Sequence, residues 1–529
     1  MTASLSPLTI LGIVAVYFAV LVLVSFLTSR GESDNSDFFL AGRKSPWPLV
    51  AIGMVGSSLS GVTFISIPGA VGAGGVNQAF SYMQVVMGYL LGYLFIAVVL
   101  LPLYYRMGLT SIYEYLRTRI GWHGYKIGSF YFLLSRTIGA AFRLFLVAIV
   151  LQRFVATPIG IPFSVTVAAT IVLIWLYTFR GGIKTIIVTD TLQTVCMLTA
   201  AAITVVYIGH SLETDLGGMY RLIEQSNYSQ WFFFEGGWTD PNNFFKQFLS
   251  GALITIVMTG LDQDMMQKNL SMPNVRDAQK NMFAFSIVLF FANMLFLCLG
   301  ALLYIYATTV GLTIPPTSDL LYPTIALVNL PPVAGVLFVL GIVAAAYSSA
   351  DSALTALTTS FCVDFLGMRE ESSGDGAQVP HPPQDLQANT DNKRRRLLVH
   401  SGFSLLLFLV IMAFELINNQ AVINDLFKAA GYTYGPLLGL FAFGLLTRFR
   451  VRETIPVGNF QFPALLAVCL LSPVISILMD RYSADLLGGF EFGFLILAFN
   501  GLLTFIGLVA LSESPHHDGE DLAEAELHG

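Results

Sequence analysis

The chain has 529 residues, is 55% hydrophobic and only 11% charged, and carries a formal net charge of −6 with a mean hydropathy of +0.71. An ordinary soluble protein with charged faces is excluded by these values. The repeated apolar runs fit a polytopic all-α membrane protein, because a helix needs about 20 apolar residues to cross a bilayer; a membrane barrel would show short alternating segments instead.

The first run, LTILGIVAVYFAVLVLVSFL (8–27), has no Lys or Arg before it and no small-residue cleavage site, so it reads as a retained helix rather than a signal peptide. The second, WPLVAIGMVGSSLSGVTFISIPGAVGAGG (47–75), is interrupted by Gly53, Gly56, Gly61, Pro68 and Gly69, with Ser57, Ser58, Ser60 and Thr63 at its middle. A helix broken in this way can offer carbonyl oxygens to a hard cation; equally, small residues permit close helix packing. Further apolar runs centre near residues 93, 140, 170, 196, 254, 295, 349, 406, 434, 467 and 500, which makes thirteen predicted spans.

With an odd number of spans the termini lie on opposite sides. The loops 29–46, 105–126, 180–184, 265–282, 363–397 and 447–454 then share one face and hold 20 of the 27 basic residues. By the positive-inside rule that face is cytoplasmic, with the N-terminus external and the C-terminus cytoplasmic. Residues 369–396 are polar, Pro-bearing and aperiodic, which predicts disorder within the cytoplasmic loop 366–397. The external segment 209–242 is long enough for a short helix, and the acidic tail 512–529 leaves no room for a fused kinase or nucleotide-binding domain.

The four cysteines, Cys196, Cys298, Cys362 and Cys469, show no CxxC spacing and read as core thiols. Walker A, GxSxG and HExxH patterns are absent from the sequence, so ATP use and hydrolysis have no support and the chain is not read as an enzyme. Passage or sensing remains.

Within 344–361, AAAYSSADSALTALTTSF, a helical period places Ala345, Ser348, Ser349, Ser352, Thr355, Ala356 and Thr359 on one stripe, with Asp351 on its flank. That stripe is either packing glue or a binding surface. A sodium ion wants about five or six oxygens, which carbonyls near Gly56 and Leu59, the Ala345 carbonyl and the Ser348 and Ser349 hydroxyls would provide, all from neutral groups.

FISIP after SSLSGVT, then YTFRGGIKTIIVTDTLQ (177–193), DQDMMQKNL (262–270), AAAYSSADS and GYTYGPLLGLF (431–441) occur in this order. Together they resemble the sodium:solute symporter family across nearly the whole chain. The resemblance implies a leucine-transporter-like inverted repeat, with core repeat 1 over 47–208 and core repeat 2 over 243–446. One helix (within 1–46) precedes the core and two (447–511) follow it.

It further implies interrupted first and sixth core helices flanking the substrate, and a main sodium site at Gly56, Leu59, Ala345, Ser348 and Ser349. Some members hold a second sodium near residues that correspond to Ser348, Ser352 and Asp190; here Asp351 stands beside them, and the count of ions stays open. Implied partners are sodium, a small polar solute and the lipid bilayer, with no ATP, nucleic acid or obligate protein partner, in what is expected to be a bacterial plasma membrane.

Arg136 and Arg143 share a helix face at depths of about 15 and 25 Å. An arginine so deep needs a partner: an anionic solute, or a structural pairing with Asp262, Asp264 or Glu415, or the outer surface reached by Arg143. Family members that bind sialic acid use an arginine on this helix. Ser58, Ser60, Thr63, Gln78, Gln84 and Asp262 are the other predicted pocket residues, with Phe80, Tyr82 and Tyr432 as walls and lids, and Lys428 is expected to bond Asp425. The predicted activity is sodium-driven import of a carboxylate-bearing solute such as sialic acid. A neutral sugar or an amino acid, or a sensor built on a transporter scaffold, are the alternatives.

Overall fold

A computed structural model describes residues 6–28, 39–368, 386–417, 422–457 and 460–513. Helix α1 (Pro7–Thr28) buries Ile10, Tyr17, Phe18, Leu21 and Ser25 on one face and leaves Leu8, Val16 and Phe26 outward. That face fixes it to the body of the protein, where Ser25 Oγ donates to the Tyr177 carbonyl at 2.6 Å. Large apolar side chains ring the outside of most later helices as well, as a lipid-facing surface requires.

The second predicted span is two helices, α2 (Trp47–Ser58) and α3 (Gly61–Ala70), which meet at 56°. Leu59 and Ser60 between them are extended. Then come α4 (Tyr82–Met107), α5 (Trp122–Ile159), α6 (Phe163–Ser211) and the short α7 (Leu216–Glu224), whose N-cap Asp215 accepts the Gly218 N–H. A second break separates α8 (Phe244–Gly260) from α9 (Gln263–Leu270) at 62°. The last turn of α8, Ile256–Gly260, is widened to a π-turn, and the Asp262 carboxylate caps α9 through the Asp264 and Met265 N–H groups. The chain continues through α10 (Val275–Thr309), α11 (Pro332–Phe365), α12 (Leu386–Ile417), α13 (Val422–Leu446), α14 (Ala464–Leu486) and α15 (Gly493–Ala510). Two short antiparallel pairs, Arg450–Val451 with Ser512–Glu513 and Ile455–Val457 with Phe460–Phe462, tie down the connections around α14.

Packing explains much of the glycine content. A methyl group on Gly88 would lie 2.1 Å from the Phe248 carbonyl oxygen, and one on Gly251 would lie 2.1 Å from that of Val85. Helices α4 and α8 therefore touch backbone to backbone, the close approach that small residues allow between membrane helices. Helix α11 lies along α6 and α5, α2 along α6, and α13 along α15.

Ten described helices are long and apolar enough to cross a membrane, or twelve with each bent pair taken as one span, and a shorter apolar stretch of α6, Phe163–Thr178, coincides with the span predicted near residue 170. Two expectations change. The loop expected at 180–184 is helical, part of α6. Residues 386–397, expected to be disordered, begin α12, because the basic run before the apolar segment favours helix and extends it outward; residues 369–385 of that loop, like the tail 514–529, lie outside the described residues.

Candidate functional site

Residues of both helix breaks, Ser57–Ser60 of the first and Thr255, Thr259 and Met265 of the second, line one cavity. At the first, Gly56 is pressed into the core: a methyl group there would lie 3.1 Å from Ser348 Oγ on α11, 3.1 Å from the Asp190 carbonyl oxygen on α6 and 2.3 Å from Thr194 Oγ1. Because α2 stops at Ser58, carbonyls of its last turn are released from helical bonding. Of this turn, Gly56 is the residue seen to approach the hydroxyl stripe of α11, at Ser348. Ala345, Ser348 and Ser349 are all buried, and the Ser349 hydroxyl has no hydrogen-bond partner among the described residues. Ser348 Oγ donates to Asp190 Oδ1 at 2.7 Å. The small residues thus serve close packing while the stripe and the break meet on one locus.

The four residues considered for a second sodium also come together, around a lysine. Asp190 Oδ2 accepts from Ser57 Oγ at 2.8 Å and from Ser352 Oγ at 3.1 Å. Lys268 of α9 donates from Nζ to Asp190 Oδ2 at 2.7 Å, to Ser352 Oγ at 2.7 Å, and to Ser57 Oγ. Lys268, which the sequence places with the loop cations of 265–282, is fully buried. Oxygens from α2, α6 and α11 make that burial tolerable by using all three ammonium protons. Asp351 accepts from the Tyr177 hydroxyl at 2.9 Å and from the Ser352 N–H at 2.6 Å.

The cavity beside these is small, about 80 Å³. Ser58, Ser60, Thr63 and Tyr82 line it as the sequence predicts, joined by Arg136 and Arg143 of α5. The two arginines differ. Arg136 is committed: its guanidinium pairs with Asp264, and NH1 stands 3.9 Å from Asp262 Oδ2. Arg143 is also buried, yet its Nε and NH1 have no partner among the described residues. Glu415, one of the expected partners, is exposed on α12.

Several predicted pocket residues lie elsewhere. Gln84 is spent on the segment 209–242, donating to the Asn242 carbonyl at 2.8 Å and accepting from the Phe233 N–H at 3.1 Å. Asp262 caps α9 and accepts from the Tyr434 hydroxyl at 2.7 Å. Gln78 and Phe80 belong to the turn before α4, where Gln78 accepts the Ser81 N–H and Phe80 packs on Trp231. Tyr432 donates to Asp480 Oδ2 at 2.6 Å, and the same carboxylate lies 3.6 Å from Lys428 Nζ. The side chain of Asp425, the partner expected for Lys428, lies outside the description.

Sequence reasoning missed Tyr89, Tyr93, Thr255, Thr259 and Asn293 in the cavity wall. A signal was present: Tyr82, Tyr89 and Tyr93 recur at seven and four residues, one face of a helix, and Thr255 and Thr259 are one turn apart. Lys268 likewise follows Asp264 by four residues, within 3.8 Å of its Oδ1.

Known proteins resemble this chain in sequence and in fold. The model of the sodium:solute symporter family matches residues 38–373. The chain is 26% identical over 450 residues to the sodium/sialic acid symporter NanT of Aliivibrio fischeri, covering 82% of each. It is 23% identical over 480 residues to the sodium/sialic acid symporter SiaT of Proteus mirabilis, covering 89% of each. Among solved structures, that of a Na+-coupled sialic acid symporter in a substrate-bound outward-open state superposes with a TM-score of 0.75 at 18% identity, covering 95% of this chain and 98% of that one. Mhp1, a nucleobase-cation-symport-1 family transporter in a closed conformation, superposes with a TM-score of 0.54 at 14% identity, covering 90% and 96%. The paired helix breaks, the hydroxyl stripe and the family match lead to one conclusion: this chain belongs to the sodium:solute symporter family and is a multi-pass, sodium-coupled transporter of a small organic solute.

Proposed function

We propose that the chain uses a sodium gradient to import a small polar solute bearing a carboxylate, of the sialic acid kind, by alternating access across a bacterial plasma membrane. Arg143 carries this reading. A buried guanidinium without a protein partner is costly inside a membrane, and its planar fork fits a carboxylate through two parallel hydrogen bonds. It stands in the same cavity wall as Ser60, Thr63 and three tyrosines, donors and acceptors suited to a polyhydroxylated body. That two relatives are sodium/sialic acid symporters supports the same solute class.

In this reading sodium is held by the Gly56, Leu59 and Ala345 carbonyls and the Ser348 and Ser349 hydroxyls. The unpartnered Ser349 hydroxyl and the approach of Gly56 to Ser348 support that set. Such an ion would bridge the broken α2–α3 pair to α11, and so favour the state in which the cavity opens outward. A neutral ligand set holds a cation without trapping it. Solute would then draw the α8–α9 break and the α2–α3 break together, after which both cargoes leave inward. The N-terminus is external and the C-terminus cytoplasmic, on the support of the basic residues gathered in alternate loops.

The test is uptake into potassium-loaded proteoliposomes of the purified protein. Labelled sialic acid is expected to accumulate above its external concentration only under an inward sodium gradient. Accumulation of a neutral hexose or amino acid in its place would overturn the solute class, and accumulation without sodium would overturn the coupling.

A further inference from the structure

We propose that the Lys268 ammonium is a tethered cation filling a second cation position between α6 and α11, so that the chain binds a single sodium ion and gains another when Lys268 loses its charge. The proposal deepens the sodium reading above, and its test separates the two.

The position is built like an ion site. Lys268 Nζ meets Asp190 Oδ2 and Ser352 Oγ at 2.7 Å each and also donates to Ser57 Oγ, oxygens supplied by three different helices. An ammonium has three protons and no acceptor, so these contacts saturate it. Asp190, Ser352, Ser57 and Lys268 are all fully buried or within 1% of it, so no solvent screens the charge. A free sodium ion sharing these oxygens would lie a few ångströms from the ammonium, where like charges in a dry, low-dielectric setting repel strongly. The lysine and a second sodium therefore exclude one another.

The tethered charge also reaches the main site. Asp190 holds the ammonium on Oδ2 and receives the Ser348 hydroxyl on Oδ1 at 2.7 Å. With its proton engaged there, Ser348 Oγ presents lone pairs to the Gly56 side, so Lys268 orients a proposed sodium ligand through one intervening carboxylate. Asp351, next to Ser352, is held by the Tyr177 hydroxyl and the Ser352 N–H, and adds a second negative charge near an ion that replaced the ammonium.

The experiment counts radioactive sodium ions bound per purified full-length chain in detergent, in N-methylglucamine buffer without solute. Wild type is expected to bind one and Lys268→Gln two, with Lys268→Arg remaining at one. A wild-type count of two, or a folded Lys268→Gln protein that binds no more than wild type, would overturn the proposal. Should that variant not fold, Lys268→Gln with Asp351→Ser leaves Asp190 as the one carboxylate there without a cation, since Asp264 keeps Arg136: two bound ions are expected, and one overturns the proposal. The readout is a difference between proteins, so it stands whichever residues hold the wild-type ion.

Discussion

Arg136 and Arg143 stand two turns apart on one helix in opposite circumstances. Arg136 is paired with Asp264 and lies beside Asp262, while the Nε and NH1 of Arg143 are buried without a protein partner. Equivalent in sequence, they are assigned different work by their surroundings.

Substitution should separate them. Arg136→Ala removes the nearest cation from buried Asp264 and Asp262, leaving only Lys268 at 3.8 Å from Asp264, and is expected to cost roughly 3–5 kcal/mol of stability, read as a lower unfolding temperature with or without solute. Arg143→Ala removes no protein pairing, so the unfolding temperature in sodium alone should stay close to wild type. Carboxylate solute affinity should fall by an amount worth about 2–5 kcal/mol, and Arg143→Lys should recover it only in part, because a point charge lacks the planar fork.

The Ser349 hydroxyl offers a cleaner probe of the sodium site than Ser348. Ser349→Ala deletes a group with no hydrogen-bond partner, so stability in potassium buffer should hold while sodium affinity falls by about tenfold, roughly 1.4 kcal/mol. Ser348→Ala also strips a donor from Asp190 and should lower stability in both buffers. Unfolding temperature against sodium concentration measures both effects, since a ligand that binds only the native state raises apparent stability.

Gln84 has left the pocket to hold the segment 209–242. Gln84→Leu removes its bonds to the Asn242 carbonyl and the Phe233 N–H, and hydrogen exchange over 228–243 should quicken. The cavity's polar lining does not include Gln84, so equilibrium solute affinity should change little.

The Tyr434 hydroxyl reaches across from α13 to the carboxylate that caps α9. Tyr434→Phe leaves Asp262 Oδ2 without this donor, a loss of about 1–3 kcal/mol for a buried acceptor. Protein in detergent should unfold at lower temperature, and because Asp262 retains its two capping N–H bonds, sodium binding should persist.

The sequence by itself determined the membrane class, the approximate places of the helices, the break near Leu59 and the hydroxyl stripe from Ala345 to Thr359. These follow from local physics: hydropathy is a transaction between one segment and the bilayer, and a glycine-rich interruption or a helical period is written within a few turns. Only the tertiary structure decided which arginine is committed and which is free, because Asp264 lies 128 residues from Arg136. The same holds for Lys268, which reads as a loop cation until Ser57, Asp190 and Ser352 close around it from three helices, and for Gln84, drawn away by Asn242 and Phe233. A buried charge is settled by whatever oxygens packing brings within hydrogen-bond reach, and packing between distant helices leaves no mark in the spacing of either one.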